Sequence, residues 1–184
     1  MDDTNLKKDQ PIPEVETIYK RFINRTLPSI SLPNQDGNLL KLNRYDTFRI
    51  VIYFYSMTGN PDKKLPKNWH QIKGASGCTL ENCCFRDNYE QFIKLNALPI
   101  GISTQSIDDI KEMTLRLNIK YDILSDSNLL FTNKLELPTF SVDKKTYIRR
   151  MTIIVENNII KKVFYPVVSI KKHVDNIIIW LNQN

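Results

Sequence analysis

One run decides most of what this chain can fold into: Arg49-Ile50-Val51-Ile52-Tyr53-Phe54-Tyr55. It is nearly continuous, apolar and rich in β-branched and aromatic residues, the pattern of a central strand buried on both faces. Such a strand needs helices packed above and below it, so the run points to an α/β layer structure. Ala97-Leu98-Pro99-Ile100-Gly101-Ile102-Ser103 reads as a second central strand and Asp122-Ile123-Leu124 as a short third.

The remaining periodicity fills in the order. Val15, Ile18, Tyr19 and Phe22 give a helix over about 14–24; Leu80, Cys84, Tyr89, Phe92 and Ile93 give one over about 78–95. Ser106-Ile107-Asp108-Asp109 opens a capped helix to about 117, Ser125-Asp126 starts another short one, and Ser169 to Leu181 is a closing amphipathic helix. Ser29–Leu42, turning at Asp36-Gly37, and Arg149–Phe164, turning at Glu156-Asn157-Asn158, read as hairpins. The expected fold is therefore α/β, with a central mixed sheet, flanking helices and an N-terminal β-hairpin. That is the element order of a thioredoxin-like fold. Residues 1–12 are polar and expected to be mobile; residues 13–184 are expected to form a single domain.

All three cysteines of the 184 residues fall at Cys78, Cys83 and Cys84, where the β-type pattern has ended and the helical one begins. A thiol there meets the free N–H groups and positive end of the helix, which favour the thiolate. Clustered thiols with no distant partner make a poor structural framework and a good reactive centre. A zinc site built from them and His70 lacks any C-x2-C pair, so neither a metal nor a cofactor is expected. Residues 56–76 form a long loop with four lysines against one aspartate, in which Trp69 and His70 read as a lid or a packing anchor. His173, flanked by lysines, reads as solvated.

Charge narrows the partners. The net charge is +6, and residues 140–184 hold eight Lys/Arg against three acids. The segment has no Gly-flanked aromatics and no basic helical run, so it reads as a solvated lysine surface, and no nucleic acid is expected. No 18-residue apolar run exists, and the N-terminus does not resemble a secretory signal, so the expectation is a cytoplasmic protein without membrane contact.

The ordered string Val51-Ile52-Tyr53-Phe54-Tyr55, Gly77-Cys78-Thr79, Cys83, Phe85-Arg86-Asp87, Ile100-Gly101-Ile102-Ser103 and Leu124-Ser125-Asp126 resembles a peroxiredoxin of the bacterioferritin-comigratory (Q) type, over roughly residues 27–182. The long loop resembles a bacterial branch carrying an insertion. The resemblance implies that Cys78 is the peroxidatic cysteine, Cys83 the resolving one, and Arg150 the arginine beside the reactive sulfur. Glu81 matches an acidic position of the family. Two positions depart from it: Ser56 stands where the family has proline, and Ala75 where it has threonine. Thr58 or Ser76 is then the candidate hydroxyl donor.

What this implies is a thiol-dependent peroxidase acting on hydrogen peroxide or organic hydroperoxides. A Cys78 sulfenic acid would pass to an intrachain Cys78–Cys83 disulfide, opened by a thioredoxin-like or glutaredoxin-like reductant. With no C-terminal cysteine for a partner subunit, a monomer or weak homodimer is expected. The alternative is a non-enzymatic redox sensor or binding module on the same fold. Ionising the thiol fully at pH 7 gains only roughly 30-fold, about 2 kcal/mol. Peroxide reduction also needs donors for the departing oxygen, a role for Arg150. In a regular helix, residues five apart have Cα atoms about 8.7 Å apart and residues six apart about 9.8 Å. A disulfide needs less than about 7 Å. The helix must open before Cys83 meets Cys78, and Cys84, on the apolar side, reads as a packing residue.

Overall fold

The computed structural model describes residues 14–44 and 48–184; the tail expected over residues 1–12 lies outside them. The elements begin with helix α1 (Val15–Phe22) and the hairpin β1 (Ser31–Pro33) and β2 (Leu39–Lys41). Strand β3 (Arg49–Phe54) is followed by the long loop, α2 (Cys78–Asp87), α3 (Tyr89–Lys94) and β4 (Ala97–Ser103). Then come α4 (Ile107–Arg116), β5 (Ile123–Ser125) and α5 (Leu130–Leu135). The chain ends in β6 (Thr139–Val142), β7 (Lys145–Ile148), β8 (Met151–Glu156), β9 (Ile159–Phe164) and α6 (Ile170–Gln183).

The main sheet has the order β5-β4-β3-β8-β9. β4 pairs parallel to β3 and β5; β8 pairs antiparallel to β3 and β9. This is the mixed sheet with helices on both faces that the apolar run requires. Alternation along β3 divides the core: Ile50, Ile52 and Phe54 face α1 and α5, whereas Val51, Tyr53 and Tyr55 face α2, α4 and α6. Burying such side chains fully is worth about 1.5–3 kcal/mol each, so a charge at Ile52, which is fully buried, would break the sheet at its centre.

Several expectations change. The helix over 78–95 is two helices, because Asn88 leaves helical geometry and its side chain donates to the Cys84 carbonyl at 2.8 Å. Asp126 does not start a helix; its carboxylate accepts from the backbone N–H groups of Phe131 and Thr132, capping α5 four residues further on. A third hairpin, β6–β7, joins α5 to β8. Trp69 is buried beneath it, 5.9 Å from Phe140 and 5.0 Å from Tyr147, so the long loop is packed down by an anchor. His173 is buried rather than solvated: α6 turns it inward with Val174 and Ile177, and its Nε2 lies 2.8 Å from Thr152 Oγ1.

Candidate active site

The site is built where β3 ends and α2 begins. Gly77 precedes the helix at φ +97°, a left-handed geometry that glycine adopts without a steric penalty. A Cβ there would stand 2.7 Å from Ile170 Cδ1 and 3.7 Å from Arg150 Nη2, so the tip of Ile170 would have to shift, and the positive φ would strain any other residue. Cys78 is the first residue of α2 and only 2% exposed.

Arg150 arrives from the neighbouring strand, just before β8, which pairs with β3. Its Nη2 donates to Cys78 Sγ at 3.2 Å and to the Ser76 carbonyl at 3.0 Å; its Nε donates to Glu81 Oε2 at 2.7 Å. Arg149 points elsewhere, 5.4 Å over the Phe140 ring. The alternation that separates the two arginines thus selects Arg150 for the sulfur. Glu81 lies three residues beyond Cys78 on the same helix face, fully buried, with Oε1 lacking a hydrogen-bond partner.

A second set of contacts fixes the helix. Tyr53 Oη donates to Asn82 Oδ1 at 2.8 Å, and Asn82 Nδ2 donates to the Cys78 carbonyl at 2.9 Å. The Tyr53 ring stacks on Phe85 at 4.0 Å. Gly101 makes this possible, since a Cβ there would stand 2.7 Å from the Tyr53 ring. Asn82 and Gly101 escaped the sequence reading as parts of the site: their partners are far away in the chain, and no local pattern marks them.

The electrostatics differ from the simple expectation of a sulfur held as an anion. Burial pushes the Cys78 thiol above the ordinary value; Arg150 pulls it down, the Glu81 charge pushes it up, and hydrogen bonding from the backbone of Met57 and Ser56 lowers it. Burial likewise lifts the Glu81 carboxyl to about 7, against the pull of Arg150. A low-dielectric site disfavours any charge, and one guanidinium serves two acids.

The candidate hydroxyls separate. Thr58 is buried; its hydroxyl and backbone N–H both donate to Gln105 Oε1, at 3.2 and 2.8 Å. The Ser76 hydroxyl is exposed and lies 3.2 Å from His70 Nδ1. Ser56 Oγ donates to the Ile148 carbonyl at 2.9 Å, and Ala75 is fully buried against the Trp69 cluster. Cys83 and Cys84 are half-buried and, like Cys78, unbridged. Among the described residues no group of three or more His, Cys, Asp or Glu is arranged to hold a metal ion, and no helix is long and apolar enough to cross a membrane.

A strand-to-helix cysteine faced by a buried arginine is the arrangement of a thiol-based redox protein, and comparison gives the family. The chain belongs to the AhpC/TSA family, whose profile matches residues 68–163. It is 32% identical over 99 residues to the chloroplastic peroxiredoxin Q of Populus jackii, covering 54% of this chain but only 39% of that relative. The fold matches the peroxidoxin BcpB of Mycobacterium tuberculosis with a TM-score of 0.72 and 22% identity, over 88% of this chain and 97% of that one. It also matches the bacterioferritin comigratory protein of Xanthomonas campestris, solved in trapped intermediate and ligand complexes bearing on its alkyl peroxide reduction activity. There the TM-score is 0.68 and the identity 19%, over 85% and 95% of the two chains. The Q-type resemblance and the thioredoxin-like α/β fold are therefore borne out.

Proposed function

We propose that this chain is a thiol-dependent peroxidase that reduces hydrogen peroxide or organic hydroperoxides at Cys78. The observation that carries the reading is the 3.2 Å contact between Arg150 Nη2 and the buried sulfur at the N-terminus of α2. The thiolate attacks one peroxide oxygen, the O–O bond breaks, and Cys78 becomes a sulfenic acid. Arg150 stabilises the charge that develops on the departing oxygen, and Glu81 holds the guanidinium in place. Of the two candidate hydroxyls, the reading favours Thr58, which is buried and follows Met57, whose backbone hydrogen-bonds the sulfur.

Cys83 then condenses with the sulfenic acid, releasing water and closing an intrachain disulfide. Residues 78–83 must unwind for this, since their Cα separation in a helix is about 8.7 Å. A thioredoxin-like or glutaredoxin-like dithiol reopens the bond by exchange. The name of the X. campestris neighbour supports organic hydroperoxides among the substrates. The same reading has one domain over 13–184 working in the cytoplasm as a monomer or weak homodimer.

The test is peroxide consumption with a thioredoxin system. Cys78→Ser is expected to lose all turnover. Cys83→Ser should consume one peroxide per chain and stall with a sulfenic acid. Undiminished turnover in Cys78→Ser would overturn the assignment.

A further inference from the structure

Thr58 lies just beyond β3, outside any strand or helix, yet one side chain takes up its N–H, its hydroxyl and its carbonyl. Gln105, in the turn between β4 and α4, accepts at Oε1 from the Thr58 N–H at 2.8 Å and from the Thr58 hydroxyl at 3.2 Å. Its Nε2 donates to the Thr58 carbonyl at 3.3 Å. This fixes which way the amide faces, since the N–H needs the oxygen and the carbonyl needs the nitrogen. Gln105 is itself tied down. It is buried; its N–H donates to Ser103 Oγ at 3.2 Å, and its carbonyl accepts from Ser125 Oγ at 2.6 Å. The Ser103 hydroxyl in turn donates to the Ser56 carbonyl at 3.1 Å. Residues at and beyond the ends of β4 and β5 thus grip positions 56 and 58, on either side of Met57.

We propose that Gln105 is a positioning residue of the peroxidase reaction, which sets the oxygen of Thr58 towards the incoming peroxide. This rests on the peroxidase reading and deepens it. A hydroxyl carries one hydrogen and two lone pairs. Gln105 Oε1 can only accept, so it takes that hydrogen and leaves the Thr58 oxygen with lone pairs to offer. A hydroperoxide is then met at Thr58 by an acceptor for its O–H hydrogen and at Arg150 by donors for the departing oxygen. One acceptor and one donor on the same molecule fix the direction of its O–O bond against the sulfur. Gln105 touches no reacting atom and acts through Thr58.

The arrangement does more than pack the loop. The bonds to the Thr58 N–H and carbonyl suffice to hold its backbone; the third sets the rotation of a hydroxyl. The other two hydroxyls of the segment are spent elsewhere. Ser56 Oγ donates to the Ile148 carbonyl, and the exposed Ser76 Oγ lies beside His70. Gln105 stands 47 positions from Thr58 in the chain, so no local pattern marks the pair.

Gln105→Met and Thr58→Val, alone and together, test this. Methionine keeps the length of glutamine and removes every bond to Thr58; valine keeps the shape of threonine and removes its hydroxyl. Two reactions of Cys78 are followed: the first turnover with hydrogen peroxide, and alkylation by iodoacetamide, which has no O–H to orient. Each single variant should slow the peroxide reaction about 10-fold or more and leave alkylation within about threefold. The double variant should fall within about threefold of the slower single one, because the two residues act as one unit. An unchanged peroxide rate in Gln105→Met, losses that multiply in the double variant, or an equal fall in both reactions would overturn the proposal. A second measurement needs no variant. The Thr58 amide hydrogen of the wild type should exchange with solvent as slowly as those of the central strands, although no strand holds it. Exchange at the rate of an open loop sinks the clamp. A wild type that fails to reduce peroxide removes the peroxidase reading itself, an outcome distinct from a wild type that turns over and a Gln105→Met variant that matches it.

Discussion

The two halves of α2 obey different rules. From Cys78 to Asn82 the polar groups are tied to remote partners: the sulfur and Glu81 to Arg150, Asn82 to Tyr53. From Cys83 to Asp87 the hold is the Phe85 ring, stacked between Tyr53 and Phe92, together with Arg86 Nη1 donating to the Leu117 carbonyl at 2.7 Å, while both thiols are half-buried. On the proposed reading, the first half fixes a sulfur against a cation for peroxide attack, and the second offers the thiol that later reaches the first. Leu80, 46% exposed between them, can leave helical geometry at little cost in buried area. A helix that is rigid in its ion pair and poorly packed at Leu80 meets both demands.

The largest break in this comparison comes from Arg150→Met. It removes the guanidinium that reaches both Cys78 and Glu81. The first peroxide turnover should fall by about 10²–10³-fold, the usual loss when a donor to a developing oxyanion is removed. Stability should fall too, because the arginine and Glu81 side chains are 5% and 0% exposed. Stranding one partner of a buried pair costs about 3–5 kcal/mol. That cost depends on pH with a definite sign. A buried carboxyl that has lost its cation titrates still higher, so the loss is small at pH 5 and grows as pH rises. Urea unfolding at pH 5 and pH 8 reads the difference. Adding Glu81→Gln to Arg150→Met should restore stability at pH 8 and leave the peroxide rate low. A loss independent of pH would mean that packing, not charge, joins the two halves.

A smaller effect separates the ion pair from its neighbour on α6. Glu81, raised to about 7, binds its proton more tightly in the folded state, so its contribution to stability is present at low pH and is lost as pH rises through 7. His173, lowered to about 4, behaves oppositely: its contribution is present above the unfolded value of about 6.5 and is lost as pH falls towards 4. In the wild type the two slopes largely cancel between about pH 4.5 and 6.5. His173→Gln, which keeps a partner for Thr152, should unmask the first slope, so that the protein gains on the order of 2 kcal/mol between pH 7 and pH 5. Glu81→Gln should reverse the sign. Denaturant midpoints against pH check both, and parallel curves for the two variants would remove the linkage.

Much of this was legible in the chain, and the gaps have physical causes. The β3 run and the cysteine trio at a helix start rest on local pattern, and Arg150 on the family resemblance. Two hairpins show where pattern fails. Asn157-Asn158 and Asp143-Lys144 both turn with positive φ at both residues. Asparagine tolerates that geometry and announces the turn, whereas lysine does not, so β6–β7 went unread. His173 was hidden by Lys171 and Lys172 beside it, although its spacing of four from Ile177 and eight from Leu181 places it on the buried stripe. Glu81 was readable as an acid in a first turn. Its burial was not, because the residue that makes burial tolerable is Arg150, 69 positions away.

The smallest expected effect sharpens the second half of α2. Cys84 packs against the core face shared with α6, and Asn88 holds its carbonyl. Burial raises its thiol above the ordinary value, which leaves it less nucleophilic near neutrality. It also starts about 1 Å farther from Cys78 than Cys83 does along a regular helix. Reaching the sulfenic acid from Cys84 would unwind α2 up to Phe85 and its stack, whereas reaching it from Cys83 unwinds residues 78–83, with the contacts of Glu81 and Asn82, and stops one residue short of that. Cys84→Ala is therefore expected to keep turnover within about twofold and to cost no more than about 1 kcal/mol in lost packing. Peptide mass mapping after one equivalent of peroxide should find Cys78 joined to Cys83 in both proteins. A dominant Cys78–Cys84 link in the wild type would mean that the helix opens through Phe85, and that the anchor separating its two halves does not hold during the reaction.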